Sequence, residues 1–64
     1  MSVGENIAKL RNEIGLSQRE LAEDVGISQS MVAQIERGSK ALTVPLAKQI
    51  ADKLGKSITD IIGN

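Results

Sequence analysis

Small hydroxyl residues and glycines punctuate this chain at intervals too short for anything but brief helices. Ser2 with Glu5 has the spacing of a capping box, in which each side chain bonds the other residue's backbone N–H. Ser17 with Glu20 repeats it, and Ser57 with Asp60 follows the same pattern. Ser28 and Thr43 are further N-cap residues, and Pro45 suits the first turn that Thr43 opens. Gly15, Gly26, Gly38 and Gly55 fall where the helices must stop. Between these marks apolar residues recur at helical spacing. They are Ile7, Leu10 and Ile14, then Leu21, Ala22 and Val25, then Val32 and Ile35, then Leu46, Ile50 and Leu54, then Ile58, Ile61 and Ile62. The fold class this predicts is all-α, a compact five-helix bundle. Caps, stops and stripes agree at every junction, which is what a foldable sequence requires.

Composition narrows the chemistry. The chain of 64 residues reads as a single domain, 1–64. A domain this small buries only about 60% of its unfolded surface, so its stability margin is thin. It has no Cys, no His and no aromatic residue. That removes disulfides, the usual zinc ligands, the usual general base near neutral pH and the stacking platforms that bind single strands. No cofactor, metal or catalytic constellation is expected, and the residues argue against an enzyme. Glu20 is explained as a cap and Glu23 as part of a solvated face. No apolar run approaches the roughly 20 residues of a membrane span, and no targeting segment precedes the first helix, so a cytoplasmic location is expected.

Eight basic and eight acidic side chains cancel. A neutral domain is a poor non-specific binder of nucleic acid, so placement of charge matters more than its sum. Glu23, Asp24, Asp52 and Asp60 are expected to lie away from a nucleic acid, and Arg11, Arg19, Arg37 and Lys40 to gather near one.

The second and third predicted helices meet the demands of a helix-turn-helix. Ala22 is small where the helices cross. Gly26 supplies a positive φ in the turn. Ile27 plugs the turn into the core, and Val32 and Ile35 hold the third helix against the first and fourth. The other face of the third helix is then free. It carries Gln29, Ser30, Ala33 and Gln34, whose amides, hydroxyl and methyl match base edges in a major groove. In isolation such residues are ordinary solvated surface. Inside this frame they point to sequence-specific binding of double-stranded DNA.

The chain resembles the phage repressor and Cro family of helix-turn-helix proteins. The resemblance runs through Leu10-Arg11, Leu16-Ser17-Gln18, Leu21-Ala22, Val25-Gly26, Gln29-Ser30, Gln34, Glu36, Gly38, Ile50-Ala51 and Leu54-Gly55. It implies a lambda-repressor-like domain that binds a palindromic operator as a homodimer, formed in solution or only on DNA. It implies that Gln18 bonds a phosphate and braces Gln29, and that Gln29, Ser30, Ala33 and Gln34 read bases, with Met31 a neighbour of the groove. Arg19, Arg37, Ser39 and Lys40 fall where backbone contacts are expected. Arg11 and Glu36 match an ion pair between the first helix and the end of the third.

The chain also departs from that pattern. It is poorer in Lys and Arg, and it has Asp60-Ile61-Ile62 where many relatives have an aromatic residue. The segment Ala41-Leu42-Thr43-Val44 is more apolar than the basic loop of some relatives. Leu42 and Val44, together with Ile61 or Ile62, are therefore candidate dimer contacts, and for Leu42 and Val44 cover for the core is the equal alternative. Rival readings are an antitoxin or restriction-system controller acting on its own operon, and a protein-interaction adaptor that keeps the fold without reading DNA.

Overall fold

A computed structural model describes residues 2–62. It contains α1 (Val3–Glu13), α2 (Gln18–Val25), α3 (Gln29–Arg37), α4 (Val44–Leu54) and α5 (Ile58–Ile62). The five helices start where the hydroxyl residues predict. Ser2 Oγ accepts the Glu5 N–H at 3.1 Å, and Glu5 Oε1 accepts the Ser2 N–H at 2.9 Å. Ser17 and Glu20 form the second box at 3.0 and 2.8 Å. Ser28 and Thr43 cap α3 and α4 through the N–H groups of Met31 and Leu46. At α5 the pattern is altered: Asp60 Oδ2 accepts both the N–H and the hydroxyl of Ser57.

The end of α1 shows how one glycine redirects the chain. Gly15 has φ +73°, and the Leu16 N–H reaches back to the Arg11 carbonyl at 3.0 Å. This Schellman turn returns Leu16 to the core while Ile14 stays outside. Ile14, expected on the inner stripe, is instead the C-cap residue and 51% exposed.

The core joins Ile7, Leu21, Ala22, Val32, Ile35, Ile50, Ala51, Leu54 and Ile61. Helix α2 packs on α3 and α4, α1 on α3 and α5, and α4 on α5. Helix α3 is thus held mainly by α1 and α2, whereas the sequence suggested α1 and α4. Ile61 is fully buried, which corrects its candidacy as a dimer contact: it has no surface to offer a second copy. Leu42 packs partly against the core, as the residue before a helix cap often does. Val44 and Ile62 are exposed.

Two residues near the start of α1 do work that the sequence did not announce. Asn6 is buried, and its Nδ2 donates to the Ile61 carbonyl at 2.9 Å, giving the end of the short α5 a partner. Gly4 is buried where α1 crosses the end of α3. A Cβ there would collide with the backbone carbonyls of Ile35 and Glu36. Neither carbonyl belongs to a side chain that can swing aside.

Helix propensity alone favours Gly4→Ala by about 1 kcal/mol. The clash with α3 costs about 1–3 kcal/mol. A lower urea midpoint for Gly4→Ala is expected, and a higher one would show that α1 and α3 are not held this close. The carboxyls of Glu5, Glu20 and Asp60 are held below their usual range by the backbone N–H groups of Ser2, Ser17 and Ser57, then by those residues' hydroxyls. The folded state therefore binds fewer protons near pH 4 than the unfolded chain, and stability rises with pH there. That contribution is complete above about pH 4 to 5 and disappears as pH falls through the lowered folded values. Urea melts from pH 7 to pH 2 should show this loss, and it should shrink in a Glu5→Gln/Glu20→Gln variant.

Candidate nucleic-acid interface

The turn between α2 and α3 is short and internally bonded. Gly26 has φ +76° and ψ +31°, and the Ile27 N–H bonds the Ala22 carbonyl at 3.0 Å. Ser28 then starts α3 at once. With about 100° of rotation per residue, Gln29, Ser30, Ala33, Gln34 and Arg37 share one arc of α3. Val32 and Ile35 lie opposite and are buried. Gln29, Ser30 and Arg37 are exposed, and Ala33 and Gln34 are half-buried. The proposed base-reading residues are thus gathered on one outward face, which presents two amides, a hydroxyl and a methyl, with Met31 half-buried at its edge.

Behind that face lies a polar cluster. Arg11 Nε donates to Glu36 Oε2 at 2.7 Å, and Nη2 donates to Oε1 at 3.1 Å. The side chains are only 10% and 7% exposed. Arg11 Nη1 also donates to the Leu16 carbonyl at 2.7 Å and to Asn12 Oδ1 at 3.2 Å. The expected ion pair is therefore a buried fork that ties α1 to α3 and to the residue before the α2 cap. This overturns the idea that Arg11 joins the positive charge available to a nucleic acid.

Gln18, the first residue of α2, is drawn into the same cluster. Its Nε2 donates to Glu36 Oε1 at 2.9 Å. The sequence suggested Gln29 as its partner, and the connection to Glu36 was missed. No spacing signal identifies it, because the two residues lie on different helices.

The remaining backbone-contact candidates differ in readiness. Arg19 makes an exposed pair with Glu23 at 3.4 Å, a weak restraint that leaves its charge available. Arg37 and Lys40 are exposed at the end of α3 and in the following loop. The Ser39 hydroxyl donates to the Gln34 carbonyl at 3.2 Å, so as it stands it offers an anion no proton. The acids collect elsewhere. Glu23, Asp24 and Asp52 line an open groove of about 480 Å³ between the end of α2 and α4, together with Val25, Gly26, Gln49 and Lys53. None of the base-reading candidates borders it. Among the described residues no helix is long and apolar enough to cross a membrane.

A bundle whose second and third helices form a tight glycine turn, with an outward polar face on the later helix, defines the helix-turn-helix class. The helix-turn-helix family pattern matches residues 7–61, and the chain belongs to that family. It is 38% identical over 60 residues to the uncharacterized HTH-type transcriptional regulator y4dJ of Sinorhizobium fredii, covering 94% of this chain and 78% of that protein. It is 35% identical to the immunity repressor protein of Bacillus phage phi105, covering 98% of this chain but only 44% of the repressor. Among solved structures, the restriction-modification controller protein C.AhdI of Aeromonas hydrophila superposes with a TM-score of 0.88 at 29% identity, covering 92% of this chain and 89% of that one. These comparisons identify a DNA-binding regulator of the repressor-like helix-turn-helix kind.

The buried fork generates a stability prediction. Arg11→Met or Glu36→Met alone strands a buried charge and should cost about 3–5 kcal/mol. The double variant R11M/E36M should recover most of that loss, since an apolar pair of similar volume is often tolerated. Urea unfolding of all four proteins checks it. Additive losses would mean that the two side chains do not depend on each other.

Proposed function

We propose that this protein regulates transcription by reading a two-fold symmetric DNA operator as a homodimer, with α3 in the major groove. The carrying observation is the outward arc of Gln29, Ser30, Ala33 and Gln34 on a helix whose opposite face is core. A glutamine amide pairs with adenine N6 and N7, a serine hydroxyl bonds either kind of base edge, and an alanine methyl packs against thymine. Gln18, Arg19, Arg37, Ser39 and Lys40 are proposed to contact the sugar-phosphate backbone, Ser39 only after releasing Gln34. Exposed Val44 and Ile62, with half-buried Leu42, remain the candidates for pairing two copies. With no surplus of positive charge, specificity rests on base contacts and on two half-sites engaged together. Such a role belongs in the cytoplasm of a bacterial cell or a phage-infected host.

A controller acting on its own operon is the second reading. The likeness to the controller protein C.AhdI, at a TM-score of 0.88 and 29% identity, favours it. Both readings share one mechanism at the DNA.

Selection of duplexes from a random library tests the proposal. The expected result is a palindromic motif with half-site centres about 34 Å apart. Gln29→Ala should weaken binding by about 1–3 kcal/mol and relax preference at one base position. Gln34→Ala should do the same at a different position. Intact affinity and preference in both variants would remove α3 as the reading helix, and failure to bind any duplex at low salt would favour the protein-interaction adaptor.

A further inference from the structure

The Glu36 carboxylate has its counter-ion in Arg11, yet it accepts a further N–H from outside the pair. Gln18 Nε2 donates to Oε1 at 2.9 Å, on the oxygen that also receives Arg11 Nη2. A carboxylate only accepts, so the nitrogen of the Gln18 amide must face it and the amide cannot sit reversed. One N–H of Nε2 is thereby used. The second N–H and Oε1 are left with fixed directions.

We propose that Glu36 is a positioning residue for DNA binding, holding the Gln18 amide so that its remaining N–H is set for a phosphate oxygen of the duplex. The inference rests on the reading that α2 and α3 engage DNA. Gln18 opens α2, where the Ser17 hydroxyl takes the Glu20 N–H and the backbone N–H groups of Gln18 and Arg19 lack an intrahelical acceptor. A phosphate there would meet backbone and side-chain donors together. A free glutamine loses rotamer entropy when it docks, and one already held loses less. Arg11 has two parts in this. It fixes Glu36 against α1 and the Leu16 carbonyl, and it neutralises the carboxylate, which would otherwise oppose a phosphate beside Gln18. The ion pair thus acts on binding through Gln18, and neither charged partner needs to touch DNA.

The test compares duplex affinity for the wild-type chain, Q18A, R11M/E36M and the triple variant, using the duplex that the wild-type chain selects. Thermal melts verify that each is folded. Q18A should weaken binding about tenfold, the usual scale for a hydrogen bond to a charged acceptor. R11M/E36M should weaken it by a similar factor, and the triple variant should be no worse than either. Losses that multiply, or an R11M/E36M protein that binds like wild type while Q18A does not, would overturn the proposal. A purely structural pair would lower the melting temperature without this non-additivity. Should R11M/E36M fail to fold, NMR of the wild-type chain decides. The Gln18 side-chain amide protons should be shifted and protected relative to those of exposed Gln49, and equal behaviour would overturn the holding contact. If the wild-type chain selects no duplex, the DNA-reading function itself fails and the proposal with it. Multiplied losses in a chain that still selects one remove only the role of Glu36.

Discussion

Arg11 and Glu36 form the contact on which the geometry of the DNA-facing half depends. A guanidinium has five N–H donors in a rigid plane, and here they reach α3, the turn before α2 and the last turn of α1. Lysine, a point charge on a flexible stem, could not serve these partners at once. A buried ion pair is weak evidence of net stability, because desolvation offsets most of the attraction. What this one supplies is relative placement. Among the described residues no buried side-chain nitrogen or oxygen lacks a partner, so the cluster carries none of the cost of a half-satisfied network.

The division of charge follows from the same layout. The neutral total conceals an uneven layout, with an acidic groove at α2 and α4, Arg19 paired with Glu23 at its border, and basic Arg37 and Lys40 at the end of α3 and in the following loop. Glu36 is removed from the surface balance by Arg11. Glu5, Glu20 and Asp60 are occupied at helix starts, where backbone dipoles favour negative charge. Several of the acids are thus structural, which reconciles zero net charge with a surface that an anionic polymer can approach.

Much of this was legible in the sequence, and the limits are physical. Helix starts and stops depend on local bonds between residues a few positions apart, so Ser2, Ser17, Ser28 and Thr43 announced themselves, as did Gly26 and Gly38. The outward arc of α3 followed from helical period alone. The ion pair of Arg11 with Glu36 came only from the resemblance, since 25 positions separate its members. The bond from Gln18 to Glu36, the anchoring of Ile61 by Asn6 and the close crossing at Gly4 are all non-local. Gly4 did leave a trace: a glycine within a helix is costly, and its presence there signals a reason in packing. The burial of Ile61 is not legible in the sequence, because a five-residue helix is too short for periodicity to assign its faces.

Gln29 and Ser30 are exposed, and Ala33 and Gln34 are half-buried outside the core cluster. Reading surface and scaffold are therefore separable in this chain. Polar replacements at exposed Gln29 and Ser30 alter what the outer face of α3 matches while leaving the caps, the fork and the core as they are. A lineage carrying this domain can drift to a new target without passing through an unfolded intermediate, and the thin stability margin of so small a domain makes that independence matter.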